Sequence, residues 1–232
     1  MDGILIIEKE AGMTSHDVVA KVRKIANIRK VGHTGTLDPM ATGVLPLLLG
    51  KATKLSQYLT QHDKEYIATV KLGMKTDTLD LEGKVLEEKK VDLAVFTKEK
   101  IEAVLNSFLG KQKQTPPMYS AVKVNGKKLY EYARIGETVK VEPREIEIYA
   151  VSLETISKDT QEFTFRVYVS KGTYIRVLCS EMAEKLGTIG VMSKLIRTKV
   201  DRFLLEDAVK LKDLNQGNLA EHVIGINDFK KE

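Results

Sequence analysis

Residues 31–49, VGHTGTLDPMATGVLPLLL, constrain the fold of the chain most, because they set one acid, Asp38, among three glycines. Gly32, Gly35 and Gly43 permit backbone angles that a side chain forbids, so the segment reads as a loop that turns tightly and approaches a ligand closely. Pro39 drives the residue before it toward an extended conformation, which places the Asp38 carboxylate on stiffened backbone. An Asp-Pro step also starts turns and caps helices, so the local pattern leaves a structural and a chemical role both open.

Strand and helix signals alternate around this segment. GILII at 3–7 reads as a short buried strand, and Thr14 or Ser15 can cap a helix that carries Val18, Val22, Ile25 and Ala26 at helical spacing. Its other face is basic: Lys21, Arg23 and Lys24 lead on to Arg29 and Lys30, either a solvated surface or a track for phosphates. Residues 51–61 read as a short helix and 65–73 as a strand that begins at Tyr66. Thr97 caps a helix with an apolar stripe of Ile101, Val104, Leu105, Phe108 and Leu109, stopped by Gly110. Asn125-Gly126 marks a hairpin inside a segment rich in Lys, Pro and Tyr, either an ordinary solvated loop or a surface for looped RNA. Residues 145–156 and 161–170 pair as strands, the second turning Phe163, Phe165, Val167 and Val169 inward. At KGTYIRVLCSEMAEKLG strand gives way to helix, with Tyr174 and Arg176 at the junction and Gly187 at the end.

Composition narrows the function classes. The 232 residues suit one main domain, and 37 Lys+Arg against 32 Asp+Glu leave a net charge of +5, compatible with a polyanionic partner. Cys179 is alone, so no disulfide closes within the chain, and His16, His33, His62 and His222 form no ligand-spaced cluster; no metal is expected. Asp77, Asp80, Glu82 and Glu87 do not follow the calcium-loop pattern and read as structural or rim residues. No apolar run has the length of a signal peptide core or a membrane span, which points to the cytoplasm and away from membranes. A phosphate-binding loop at Gly50-Lys51 fails, because Leu45 stands where that motif needs Gly and Ala52 where it needs Ser or Thr.

The segment GHTGTLDPMATGVLPLLLGKATK resembles the signature of the TruB family of tRNA pseudouridine synthases, which isomerise uridine 55 in the T loop of tRNA. EYIATVKLG (65–73), PPMYSAVKVNGKKLYEYAR (116–134), KGTYIRVL (171–178) and LIRT (195–198) are similar to further family segments, in family order. The resemblance implies an α+β pseudouridine synthase fold, a mixed and mostly antiparallel sheet flanked by helices with a central RNA-binding cleft. It implies a catalytic domain over 1–200, followed by an extension, 201–232, too short for a complete further RNA-binding domain. It makes Asp38 the catalytic acid, Tyr66 the ring that stacks on the target base, and Tyr174 and Arg176 its flanking partners, with the Arg176 cation favouring an ionised Asp38. His33, Lys9 and, within LIRT, Leu195 are the further substrate-binding candidates. Two departures stand out: Glu10 follows Lys9 where the family usually has Pro, and Asp201-Arg202 replace Gly and a small residue or Pro.

Isomerising uridine breaks the N1–C1′ bond, rotates the uracil and rejoins it through C5 with loss of the C5 proton. No redox change occurs, so no cofactor is expected. A base stacked in the T loop must be flipped out to be reached. Tyr174 is the candidate acceptor of the C5 proton, and His33 the candidate to assist flipping. The expected partner is the tRNA T stem-loop, met by a monomer that needs no protein partner. Two alternatives differ in class or partner: an RNA-binding module or chaperone without chemistry, and an enzyme of the dyskerin type that works in a guide-RNA complex.

Overall fold

The computed structural model describes residues 1–226; the last six residues of the expected extension lie outside them. In chain order the elements are β1 (Gly3–Lys9), α1 (Ser15–Ala26), β2 (Val31–His33), β3 (Thr42–Leu49), α2 (Ser56–Thr60), β4 (Lys64–Leu72), β5 (Met74–Thr76) and β6 (Val85–Glu88). There follow α3 (Lys98–Asn106), β7 (Gly110–Gln114), β8 (Lys123–Val124), β9 (Lys127–Lys128), α4 (Leu129–Arg134), β10 (Arg144–Ser157), β11 (Glu162–Val169) and α5 (Ile175–Lys185). The chain closes with β12 (Gly190–Val200), β13 (Phe203–Leu204), β14 (Val209–Lys210) and β15 (Val223–Gly225). Two compact units result, one from residues 1–66 with 195 onward and one from 67–194, and the chain changes unit inside β4 and inside β12.

In the first unit β1 runs antiparallel to β3 from Gly3↔Leu49 to Lys9↔Gly43. It also pairs with β14 in parallel and with β15 in antiparallel sense. β2 and β12 both pair with β3, the latter in parallel at Ile196↔Thr42 and Arg197↔Gly43. Both faces of β1 and β3 are covered, which is why their sequences are nearly continuous apolar runs rather than alternating ones. Leu5, Ile7, Leu45, Leu47 and Leu49 pack on Val18, Val19 and Val22 of α1 and on Leu211, Leu214 and Leu219. Ile4, Ile6, Val44 and Leu48 pack with Ala52, Leu59, Val200 and Phe203 on the opposite side. The residues after 200, expected as an extension, thus add strands and core side chains to this unit.

In the second unit the strand order is β4-β11-β10-β7, and β10 is antiparallel to both β7 and β11. Phe163, Phe165, Val167 and Val169 point inward as their alternation requires. The sheet is mixed, mostly antiparallel and flanked by helices, the expected α+β class.

Three local readings change. Only residues 34–41 of the segment 31–49 are loop; its ends are β2 and β3. Gly32 lies within β2 with open space where a Cβ would be, so it is not there for its backbone freedom. Gly43 is: at φ +106° its Cβ would lie 2.2 Å from the Arg197 carbonyl oxygen, and β3 and β12 could not meet. The helix capped by Thr97 ends at Asn106, and Leu109, beyond it, is exposed.

Candidate active site

Asp38 stands on a loop tied down at nearly every neighbour. Thr14 caps α1 through a reciprocal pair with Asp17, which frees Ser15 for another task. The buried Ser15 hydroxyl donates to the Leu37 carbonyl (3.2 Å) and accepts from the Leu37 N–H (2.9 Å). Leu37 itself is buried. After Asp38, the Ala41 N–H donates to the Asp38 carbonyl at 3.0 Å, closing a turn that leads into β3 and not into a helix. The Gly12 N–H donates to the Pro39 carbonyl at 2.9 Å. Asp38 remains partly exposed within this frame.

Two buried cations complete the frame. Lys9 is 0% exposed, and its Nζ donates to the carbonyls of Glu10 (3.0 Å), Pro39 (3.0 Å) and Ala41 (2.6 Å). Its ammonium therefore faces the loop from inside, so the expected contact with substrate becomes a hold on the backbone around Asp38. Glu10, the acid in place of the family's Pro, is exposed, and the turn through Gly12 forms with φ +83°. Arg197 is 1% exposed; its Nε donates to the Val44 carbonyl at 2.8 Å and its Nη2 to the Gly35 carbonyl at 3.2 Å.

His33, at the end of β2, meets His16 edge to face, with ring centroids 5.3 Å apart. Burial, then the neighbouring His16 and Arg197, pull its pKa from 6.5 to about 4, opposed by a hydrogen bond to the Gly35 backbone. It is a neutral imidazole at pH 7, and its buried Nδ1 has no hydrogen-bond partner. Tyr66 is buried in β4, and Leu195 is buried in β12 two residues before Arg197. The first unit thus holds the Asp38 loop between the buried side chains of Lys9 and Arg197, and it also contains His33 and Tyr66.

The second unit holds Tyr174 and Arg176. The Tyr174 N–H donates to Gln114 Oε1 at 2.8 Å and its carbonyl accepts from Gln114 Nε2 at 3.2 Å, so β7 fixes the start of α5. Arg176 is buried, donates to the carbonyls of Thr78 and Tyr119 (both 2.8 Å), and lies 3.7 Å from Asp80 Oδ2. Asp80 is itself 4% exposed and accepts from the Thr78 hydroxyl (2.6 Å) and the Glu82 N–H (3.0 Å). Cys179, on the next turn of α5, is fully buried and its thiol pKa is pushed up, which removes it as a nucleophile.

Sequence reasoning missed Asp80 and Arg197. Asp80 reads in sequence only as one of four structural or rim acids, since only the burial of Arg176 reveals a need for a carboxylate partner. Arg197 had a usable signal: in LIRT it shares strand parity with the buried Leu195, and a charge on an inward face asks for an explanation.

The model of the N-terminal domain of TruB family pseudouridylate synthases matches residues 23–175. The chain belongs to the TruB family. As a member of that family it is an enzyme, an isomerase. It is 50% identical over 220 residues, 93% of its length and 72% of the relative's, to tRNA pseudouridine synthase B of Geobacillus thermodenitrificans (strain NG80-2). To the protein of that name from Clostridium perfringens (strain SM101 / Type A) it is 49% identical over 227 residues, 97% of this chain and 76% of the other. Among solved structures it is similar to a chain of a Cbf5-Nop10-Gar1 complex, at 33% identity and a TM-score of 0.69, covering 91% of this TruB family chain and 53% of that one. A chain of an H/ACA RNP bound to a substrate RNA containing 2′-deoxyuridine matches at 31% identity and a TM-score of 0.66, covering 91% and 52%.

Proposed function

We propose that the protein converts uridine 55 in the T loop of tRNA to pseudouridine, after flipping that base out of its stack, without a cofactor. The observation that carries the reading is a partly exposed carboxylate, Asp38, on a loop held by buried side chains from β1, α1 and β12. Preorganised positioning of this kind is what a bond rearrangement within one nucleotide demands, since the substrate and the product differ only in which ring atom joins the sugar. That relatives at 49–50% identity carry the name tRNA pseudouridine synthase B supports tRNA as the substrate.

In this reading Asp38 opens the N1–C1′ bond with the electron pair left on the uracil; C5 then bonds to C1′ and loses its proton by way of the Tyr174 hydroxyl, while N1 takes up a proton from water. Tyr66 receives the extruded uracil on its ring, where stacking contributes about 1–3 kcal/mol toward the cost of flipping. Arg176 supplies a fixed positive charge, and Leu195 adds apolar surface for the base. His33, neutral at pH 7, fills or props the vacated stack by contact rather than by charge. The enzyme acts in the cytoplasm as a monomer without a protein partner; among the described residues no helix is long and apolar enough to cross a membrane.

Release of tritium from tRNA labelled at uridine C5 tests the reading. Wild-type protein is expected to release it, and both Asp38→Asn and a tRNA with cytidine at the target position are expected to be silent. Tight tRNA binding with no release by the wild type would replace the isomerase with a binding module.

A further inference from the structure

The chain between β11 and α5 is led to one end of β7 by a series of hydrogen bonds. As it leaves β11, the Ser170 N–H donates to the Glu147 carbonyl of β10 (2.8 Å), and the Ser170 hydroxyl accepts from the Glu147 N–H (2.8 Å). Gly172 turns the chain with φ +77°, and the Thr173 hydroxyl donates to the Ser170 carbonyl at 2.9 Å. The next residue, Tyr174, meets Gln114, the last residue of β7. Gln114 is 2% exposed, and its amide clasps the Tyr174 backbone at two points, accepting from the N–H at 2.8 Å and donating to the carbonyl at 3.2 Å. Tyr174 is the N-cap of α5, extended at φ −97° and ψ 106°, with no side-chain cap of its own. Its carbonyl already accepts from the Leu178 N–H at 3.2 Å, so helix formation alone does not call for the second Gln114 bond. A primary amide carries a donor and an acceptor on one planar carbon and reproduces the pairing of two peptide units, fixing direction as well as distance. Arg176, two residues on, has its own anchors at the Thr78 and Tyr119 carbonyls, so the clasp bears on Tyr174. Only two torsions separate the Tyr174 ring from that backbone, and the place of its hydroxyl follows closely from it.

We propose that Gln114 is a positioning residue for the isomerisation: by holding the Tyr174 backbone from β7, it sets the place of the hydroxyl through which C5 loses its proton. The proposal rests on the functional reading above. It assigns Gln114 no contact with substrate; its effect passes through the Tyr174 backbone and falls on proton removal, the step that Tyr174 serves. Errors of about 1 Å in such alignment lower rates by on the order of 100-fold.

The test is Gln114→Met, which keeps an unbranched side chain of similar length and removes both bonds. It is read by single-turnover conversion of tRNA carrying hydrogen or deuterium at the target C5, by tRNA affinity and by thermal unfolding. At a temperature where the variant is fully folded, conversion is expected to slow by about 10- to 100-fold, with tRNA affinity within about threefold of wild type. Deuterium is expected to slow the variant further, because proton removal then limits its rate. A wild-type rate in the folded variant would overturn the proposal. So would a slowed variant that converts both isotopic tRNAs equally fast, since a merely structural defect acts on another step. Should Gln114→Met fail to fold, Gln114→Glu decides by the same readings: it is isosteric, and as a carboxylate it keeps an acceptor for the Tyr174 N–H and loses the donor to the carbonyl. Wild-type protein that converts no tRNA would instead refute the functional reading.

Discussion

Replacing Lys9 by Met keeps an unbranched apolar stem of similar length and removes only the ammonium. In the native protein that ammonium makes three charge-assisted hydrogen bonds, to Glu10, Pro39 and Ala41, at 2.6–3.0 Å. Such bonds are worth roughly 1.5–3 kcal/mol each, but the variant also escapes the several kcal/mol cost of burying an ion. What stays lost is hydrogen bonding at the carbonyls. The contact to Ala41 is fully buried and leaves an acceptor without a donor, at about 1–3 kcal/mol, while those to Glu10 and Pro39 are part-buried and can rewet. The net destabilisation is about 2–4 kcal/mol, a fall of about 5–15 °C in Tm for a chain of this size. Because all three carbonyls flank Asp38 or the turn beneath it, turnover at 25 °C should fall further than the folded fraction does. Circular dichroism melts beside tritium release measure both, with Lys51→Met, at an exposed site, as a control that changes neither. A Tm within about 2 °C of wild type together with an undiminished rate would show that the ammonium does not hold the loop.

His33 should couple stability to pH. Its native pKa of about 4 lies below the ordinary 6.5, so between those values the unfolded chain takes up a proton that the native protein refuses. Its contribution is complete above about pH 6.5 and is lost as pH falls toward 4; His33→Gln should flatten the stability profile in that window, and an unchanged profile in urea titrations would sink the assignment. Asp80→Asn removes the carboxylate charge 3.7 Å from the buried Arg176 guanidinium; a destabilisation of about 2–4 kcal/mol in urea melts is expected, with slower turnover, and a change below about 0.5 kcal/mol would show the pair to be incidental. Lys21→Gln with Lys24→Gln, on the exposed face of α1, should weaken tRNA binding and lower the slope of log affinity against log salt by about one unit per phosphate contact; an identical slope would mean a solvated face.

The parts of the fold that were legible in sequence are those governed by local rules. The Thr14 and Thr97 caps, the left-handed Asn125-Gly126 turn and the Gly187 stop all stand where the residues indicated, and β11 turns its Phe and Val side chains inward. Local pattern gave out where long-range packing took over. β1 and β3 are covered on both faces by α1 and by segments some 200 residues away, so their runs of Ile and Leu carry no face information. Gly32 and Gly43 look alike in sequence, yet only Gly43 needs to lack a side chain, because β12 crosses within 2.2 Å of where a Cβ would sit.

The candidate site divides along the same line. Asp38, Tyr66, Tyr174 and Arg176 are candidates through resemblance. Lys9 is a candidate the same way, and burial shows that its Nζ bonds the carbonyls of Pro39 and Ala41. Asp80 and Arg197 are both buried. They contact Arg176 and the carbonyls of Gly35 and Val44, and such contacts become visible only when strands distant in sequence are brought together. The Asp38 loop has almost no regular structure of its own, so its rigidity comes from side chains that the sheet delivers from β1, α1 and β12. That arrangement predicts a division of labour which mutagenesis can check: changes at Asp38 should remove chemistry and spare stability, and changes at Lys9 should lower both.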